Sequence, residues 1–148
     1  MRSHVPSYEL IAPTDLRHAL ALLTENYRPI AGGTDVMVLF EAGKLAHKKW
    51  MTIRNLRDLR SIEISPDHIT LGPLTTYTDI RRSEILAKEF PLLAQAAALT
   101  GGIATQNRGT IGGNIANASP AARCAAIRHQ CGGKFYANYC GDRLVSGM

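Results

Sequence analysis

Two glycine pairs, Gly32-Gly33 and Gly112-Gly113, constrain this chain of 148 residues more than any other feature. The first lies in Ala31-Gly32-Gly33-Thr34-Asp35, the second in Thr110-Ile111-Gly112-Gly113-Asn114. A glycine pair takes backbone conformations closed to residues with a Cβ and leaves peptide N–H groups open to a ligand. Bare N–H groups at a turn or a helix start suit a phosphate or diphosphate. Two such segments are expected to hold a large dinucleotide from two sides. Thr34, Asp35, Thr110 and Asn114 add hydroxyl, carboxylate and amide groups for ribityl, ribose or phosphate oxygens. Neither segment has the G-x-G-x-x-G spacing or the lysine of a P-loop. Glycine is also the ordinary residue of tight turns, so a purely architectural reading stands beside the ligand reading.

Hydrophobic periodicity places the first pair. Tyr8-Glu9-Leu10-Ile11 reads as a strand stopped before Pro13. Thr14 is the expected N-cap of a helix carrying Leu16, Ala19, Leu20 and Leu23 on one face, running to about Glu25. Arg28-Pro29-Ile30-Ala31 then reads as a strand entering the glycine turn. Thr34 or Asp35 is expected to cap a helix through Phe40 that Gly43 ends, and Trp50 to Ile53 forms a third strand. The β-α-β-α-β order predicts a small parallel sheet with the turn at its carboxyl end, where open α/β layers bind ligands.

Beyond Leu56 the character changes. Ser61 to Ile64 and His68 to Leu71 flank Ser65-Pro66-Asp67 as a hairpin. Thr76 or Thr78 is expected to cap a short helix carrying Ile80. Pro91 opens a longer one, Leu92 to Leu99, apolar nearly all round and so expected to be buried, which Gly101-Gly102 stops.

Composition bounds the function. With 45% apolar and 20% charged residues the chain is an ordinary globular one. Its net charge of +5 is scattered without basic runs interleaved with aromatics, so nucleic-acid binding is not expected. Residues after Met1 carry no apolar signal segment, and Leu92 to Leu99 is too short to span a bilayer. The expectation is a cytoplasmic protein without membrane contact. Three cysteines, Cys124, Cys131 and Cys140, match neither a paired disulfide framework nor a C-x-x-C zinc site, and His129 with Cys131 is at most half of a metal site. No metal site and no nucleophile–histidine–carboxylate set is expected.

The ordered motifs resemble the flavin-binding medium subunits of molybdenum hydroxylases, such as those of carbon monoxide dehydrogenase and bacterial xanthine dehydrogenases. The residues that carry the resemblance are Pro29-Ile30-Ala31-Gly32-Gly33-Thr34-Asp35, Asn55-Leu56 with Leu59, and Leu71-Gly72-Pro73-Leu74-Thr75-Thr76. Pro91-Leu92-Leu93 and Asn107-Arg108-Gly109-Thr110-Ile111-Gly112-Gly113-Asn114-Ile115 complete the series.

The resemblance implies an α+β, two-subdomain FAD-binding fold of the p-cresol methylhydroxylase/vanillyl-alcohol-oxidase type. A parallel βαβαβ subdomain over 1–55 would be followed by a partial antiparallel α+β subdomain over 56–122 and a divergent tail over 123–148. FAD would lie between the subdomains, with Pro29, Ile30, Ala31, Gly32, Gly33, Thr34 and Asp35 around its diphosphate. Thr110, Ile111, Gly112, Gly113 and Asn114 would approach from the other side. The implied role is electron transfer, from a molybdenum-cofactor subunit through a 2Fe–2S subunit to FAD and on to NAD or another acceptor. With only three cysteines the chain is not expected to ligate a cluster itself.

Departures from the family pattern are Ala104-Thr105-Gln106, where Gln–apolar–Arg is usual, and Arg123, where aspartate is usual. The sequence after Ala122 loses the resemblance, and a frame change or truncation is the expectation for it. A second reading follows from these departures: a non-catalytic remnant acting as a binding or assembly module. A third is a flavoenzyme of the same fold acting alone.

Overall fold

The computed structural model describes residues 7–117. The expectations attached to Arg123, to Cys124, His129, Cys131 and Cys140, and to the tail lie outside the described residues.

The first lobe is β1 (Glu9–Ile11), α1 (Leu16–Thr24), β2 (Arg28–Ile30), α2 (Thr34–Glu41) and β3 (Lys49–Thr52). Its three strands are parallel in the order β1-β3-β2, with Leu10 opposite Trp50 and Pro29 opposite Met51. This is the parallel sheet that the β-α-β-α-β order predicts. Pro29 is accommodated because β2 is an edge strand, where a missing N–H leaves no inner ladder bond unmade.

Helix α1 starts one residue later than its expected cap. Asp15, not Thr14, is the N-cap, its carboxylate accepting from the His18 N–H at 2.8 Å. Thr14 instead donates its N–H to the His18 ring at 3.3 Å.

The second lobe begins with a single 3-10 turn, Arg57–Leu59, and the antiparallel pair β4 (Ile62–Ile64) and β5 (Ile69–Leu71). Five short helices follow: α3 (Tyr77–Arg82), α4 (Glu84–Glu89), α5 (Pro91–Ala98), α6 (Ile103–Arg108) and α7 (Ile111–Asn117). Parallel lobe, hairpin and helices together make the expected α+β fold.

Thr76 caps α3 in a full capping box: its hydroxyl accepts from the Asp79 N–H while Asp79 accepts from the Thr76 N–H at 2.9 Å. Helix α5 is buried on one face only. Leu93, Ala96 and Ala97 are inside, whereas Leu92 and Leu99 are exposed.

Two apolar clusters hold the molecule. Tyr77, Ile80, Leu86, Leu93, Ala96, Ala97 and Ile111 form one beneath the helices of the second lobe. Ala19, Leu22, Tyr27 and Met51 of the first lobe form the other together with Leu56 and Leu74. Apolar packing therefore crosses the expected 55/56 boundary. Tyr27 closes this cluster with its hydroxyl donating to the Glu9 carboxylate.

Candidate functional site

The two glycine segments meet. Gly32 is buried against the backbone of Arg108, where a Cβ would stand 2.6 Å from the carbonyl carbon. The Arg108 side chain closes the same junction, its Nε–H donating to the Gly32 carbonyl at 3.2 Å. Residues 76 positions apart in sequence are thereby locked together, one residue before Gly109 and two before Thr110.

On the first segment, Ile30 ends β2 and Gly33 turns the chain into α2 with φ of +76°. That conformation requires glycine and makes Gly33 the N-cap, in place of the expected Thr34 or Asp35, with no side-chain cap bond. The Gly33 carbonyl accepts from the Met37 N–H at 2.9 Å, the first rung of the helix. Among the described residues no acceptor takes the N–H of Gly32, Gly33, Thr34 or Asp35. These are the orphan donors of a helix start, at its positive end. Thr34 is half-buried, Asp35 and Pro29 are exposed, and Ala31 packs against the first-lobe cluster.

The second segment is built differently from its expected form. It is not a loop: only Thr110 precedes α7, and both glycines lie inside the helix. Its N–H groups are engaged within the protein. Ile111 donates to the Thr75 carbonyl at 2.9 Å, Gly112 to Pro73 at 3.0 Å, Gly113 to the Thr110 hydroxyl at 3.1 Å and Asn114 to the Thr110 carbonyl at 3.0 Å. A bridge between Thr76 and Thr110 completes this seam. Gly112 is bare for the sake of Pro73, whose carbonyl oxygen would stand 2.6 Å from a Cβ there. Bare amides are therefore found on the first segment and not on the second, whose unpaired group is on a side chain.

Asn114 is the side chain in question. Its amide nitrogen donates to the Tyr77 hydroxyl at 2.6 Å, while its Oδ1 is buried without a hydrogen-bond partner. A buried amide oxygen left unpaired costs about 1–3 kcal/mol.

Sequence reasoning missed α6 altogether. Its helical period is too short to see, its N-cap is Gly102 without a side-chain cap, and its start, Ile103, is β-branched. Gln106, where the family pattern has arginine, is buried. It donates to the Ala98 and Gly101 carbonyls at 2.9 and 3.0 Å and accepts from Arg81, which ties α6 to the end of α5.

Charge near the seam is concentrated at Asp79. Burial pushes its carboxyl up, but bonds from Arg60 and from the Thr76 N–H and hydroxyl outweigh it and hold the group below 3.8. Arg60 meets it with two nitrogens at 2.8 and 2.9 Å. A cavity of about 600 Å³ lined by Arg54, Asn55, Arg57 and Arg60 shares no lining residue with either glycine segment. Among the described residues no group of His, Cys, Asp and Glu could hold a metal ion, and no helix is long and apolar enough to cross a membrane.

A parallel α/β lobe joined through a glycine turn to a second, helix-rich lobe defines a two-lobed α+β domain with its candidate site at the junction. Residues 6–137 match the family described as the FAD binding domain in molybdopterin dehydrogenase, and this chain belongs to that family, whose cofactor is FAD. The match reaches beyond Ala122, where the motif-by-motif resemblance stops.

The chain is 32% identical over 118 residues to the glyceraldehyde dehydrogenase medium chain of Sulfolobus acidocaldarius, covering 78% of this chain and 42% of that protein. It is 33% identical over 113 residues to the xanthine dehydrogenase FAD-binding subunit of Escherichia coli O157:H7, covering 74% and 39%. Among solved structures, reconstituted CO dehydrogenase from Oligotropha carboxidovorans superposes with a TM-score of 0.79 at 27% identity, over 84% of this chain and 44% of that one. The chain thus spans less than half the length of the curated relatives it matches.

Proposed function

We propose that this chain is the FAD-holding part of an electron-transfer subunit in a molybdenum hydroxylase complex. It would take electrons from a partner's iron–sulfur clusters and pass them to NAD or another acceptor. The observation that carries the reading is the Gly32–Arg108 junction, which sets four uncommitted N–H groups and the Asn114 Oδ1 on segments locked to one another. Relatives named as medium chains and FAD-binding subunits of dehydrogenases support the same role.

Bound FAD supplies the redox chemistry. The chain's own residues bind and orient. The N–H groups of Gly32, Gly33, Thr34 and Asp35 would donate to the diphosphate oxygens, aided by the positive end of α2. Asn114 Oδ1 would accept from a hydroxyl or ring N–H, with Tyr77 fixing the amide's orientation through the bond to Nδ2. The Thr34 hydroxyl would reach a phosphate oxygen. The Asp35 carboxylate, an acceptor only, suits a ribityl or ribose hydroxyl and not the phosphates. Thr110, Ile111 and Gly112 would act by fixing the start of α7 on the turn at Pro73 to Thr75. No general base is needed in this chain.

The test is reconstitution. The full chain, purified and incubated with FAD, is expected to retain oxidised-flavin absorption bands after desalting, and to be captured with a molybdenum-cofactor subunit and a 2Fe–2S subunit from its source. A colourless protein that shows no flavin fluorescence quenching on titration would leave a partner-binding module as the remaining reading.

A further inference from the structure

The first glycine segment has a neighbour whose charge the amide-only picture omits. Arg108 ends α6, and its Nε is committed to the Gly32 carbonyl. One terminal guanidinium nitrogen stands 4.0 Å from the point where a Cβ on Gly33 would lie. The side chain therefore runs alongside both glycines of the turn. Among the described residues no carboxylate forms an ion pair with it, and neither terminal nitrogen has a hydrogen-bond acceptor. Guanidinium is permanently charged, and its planar fork suits phosphate oxygens bidentately once it is oriented. Here the orientation is already set, because the Nε bond and the tight packing of the Arg108 backbone on Gly32 fix one residue at two points.

We propose that Arg108 is the phosphate-selecting cation of this site: its Nε–H holds the Gly32 turn in shape while its terminal N–H groups donate to an oxygen of the ligand's diphosphate. The inference rests on the FAD reading above and deepens it. It assigns the diphosphate a charged partner from the second lobe, so that the phosphates join the two lobes. Arg108 is then the residue through which the site distinguishes a diphosphate-bearing ligand from a neutral flavin.

The experiment titrates the full chain with FAD, with ADP and with riboflavin, using flavin fluorescence and calorimetry, in wild type, Arg108→Gln and Arg108→Lys. Loss of a charged hydrogen bond corresponds to about tenfold to hundredfold in affinity. Arg108→Gln is expected to weaken FAD and ADP by that factor and to flatten their salt dependence, with a smaller, salt-independent loss for riboflavin, which lacks the diphosphate. Arg108→Lys keeps the charge but not the fork, and is expected to recover part of the ADP affinity. Equal loss of ADP and riboflavin in Arg108→Lys would make the residue merely structural and overturn the proposal, even if Arg108→Gln does not fold. Wild-type FAD binding that Arg108→Gln leaves untouched would overturn it while sparing the FAD reading. A wild type that binds neither FAD nor ADP would overturn both.

Discussion

A single methyl group tests the junction at its tightest point. On Gly32 a Cβ would stand 2.6 Å from the Arg108 carbonyl carbon and closer still to its oxygen, and backbone cannot swing aside as a flexible side chain does. Gly32→Ala is expected to cost about 1–3 kcal/mol, as overpacking does, and to lower FAD affinity with it. Gly43 is the control. It has φ of +66° and no atom within 4 Å of a built Cβ, so Gly43→Ala should cost only the left-handed backbone strain, about 1–2 kcal/mol, and leave FAD affinity alone. Denaturant melts and flavin titrations of both variants check this. Tyr27 allows a second residue-scale measurement. The hydrogen bond to Glu9, then burial and the carboxylate's charge, push its phenol up to about 12. Its neutral form is the one stabilised, so that contribution is present below pH 10 and is lost as pH rises through the folded value. In an ultraviolet titration a phenol ionising near pH 12 should vanish in Tyr27→Phe. Residue by residue, the sequence pointed to the right glycines for a reason that is only half right. Gly33 is demanded by its backbone angle, but Gly32 and Gly112 are bare because another stretch of main chain lies against them. Nothing in the residues near Gly32 announces Arg108.

Among the elements, α3 carries the clearest electrostatic device. Asp79 closes the capping box with Thr76 and takes two bonds from Arg60, and its carboxyl is held below 3.8. A carboxyl depressed by folding stabilises the protein above its unfolded value, and that stability is lost as pH falls through the folded one. Asp79→Ala is expected to destabilise by about 1–2 kcal/mol near neutral pH, typical of a lost cap with a half-exposed ion pair. Repeated at pH 3, denaturation of wild type and variant should show the gap narrowing. Of the two caps the sequence offers, Thr76 and Thr78, the structure uses Thr76, with Asp79 three residues on to close the box. The parallel strands and the presence of α1 were legible because periodicity and turn residues agree over a long enough window. The face of α1 is corrected: Ala19 and Leu22 are buried, while Leu16, Leu20 and Leu23 of the expected face are exposed. Helices α4, α6 and α7 span only six or seven residues each, and α7 contains two glycines. Local propensity argues against such helices, and tertiary bonds from Pro73 and Thr75 decide the matter at α7.

At the scale of the molecule, Leu74 joins what the sequence divided. It lies in the turn after β5 whose Pro73 and Thr75 carbonyls hold the start of α7, yet its side chain is buried in the first-lobe cluster with Leu22 and Met51. Leu74→Ala is expected to cost about 2–5 kcal/mol through the cavity it leaves. The same change should loosen the seat of Asn114, because the main chain on either side of Leu74 sets the register of α7. Thermal melts with and without FAD separate the two effects. A ligand that binds only the folded chain adds about 2.7 kcal/mol at a hundredfold excess over its Kd. Wild type should therefore show a midpoint that climbs with FAD concentration. The variant should melt lower and climb less at each FAD concentration, since a loosened α7 also weakens the ligand. Parallel climbs at a fixed offset would mean that Leu74 matters only to the core. In that case the two lobes, though packed together, would reach the cofactor independently.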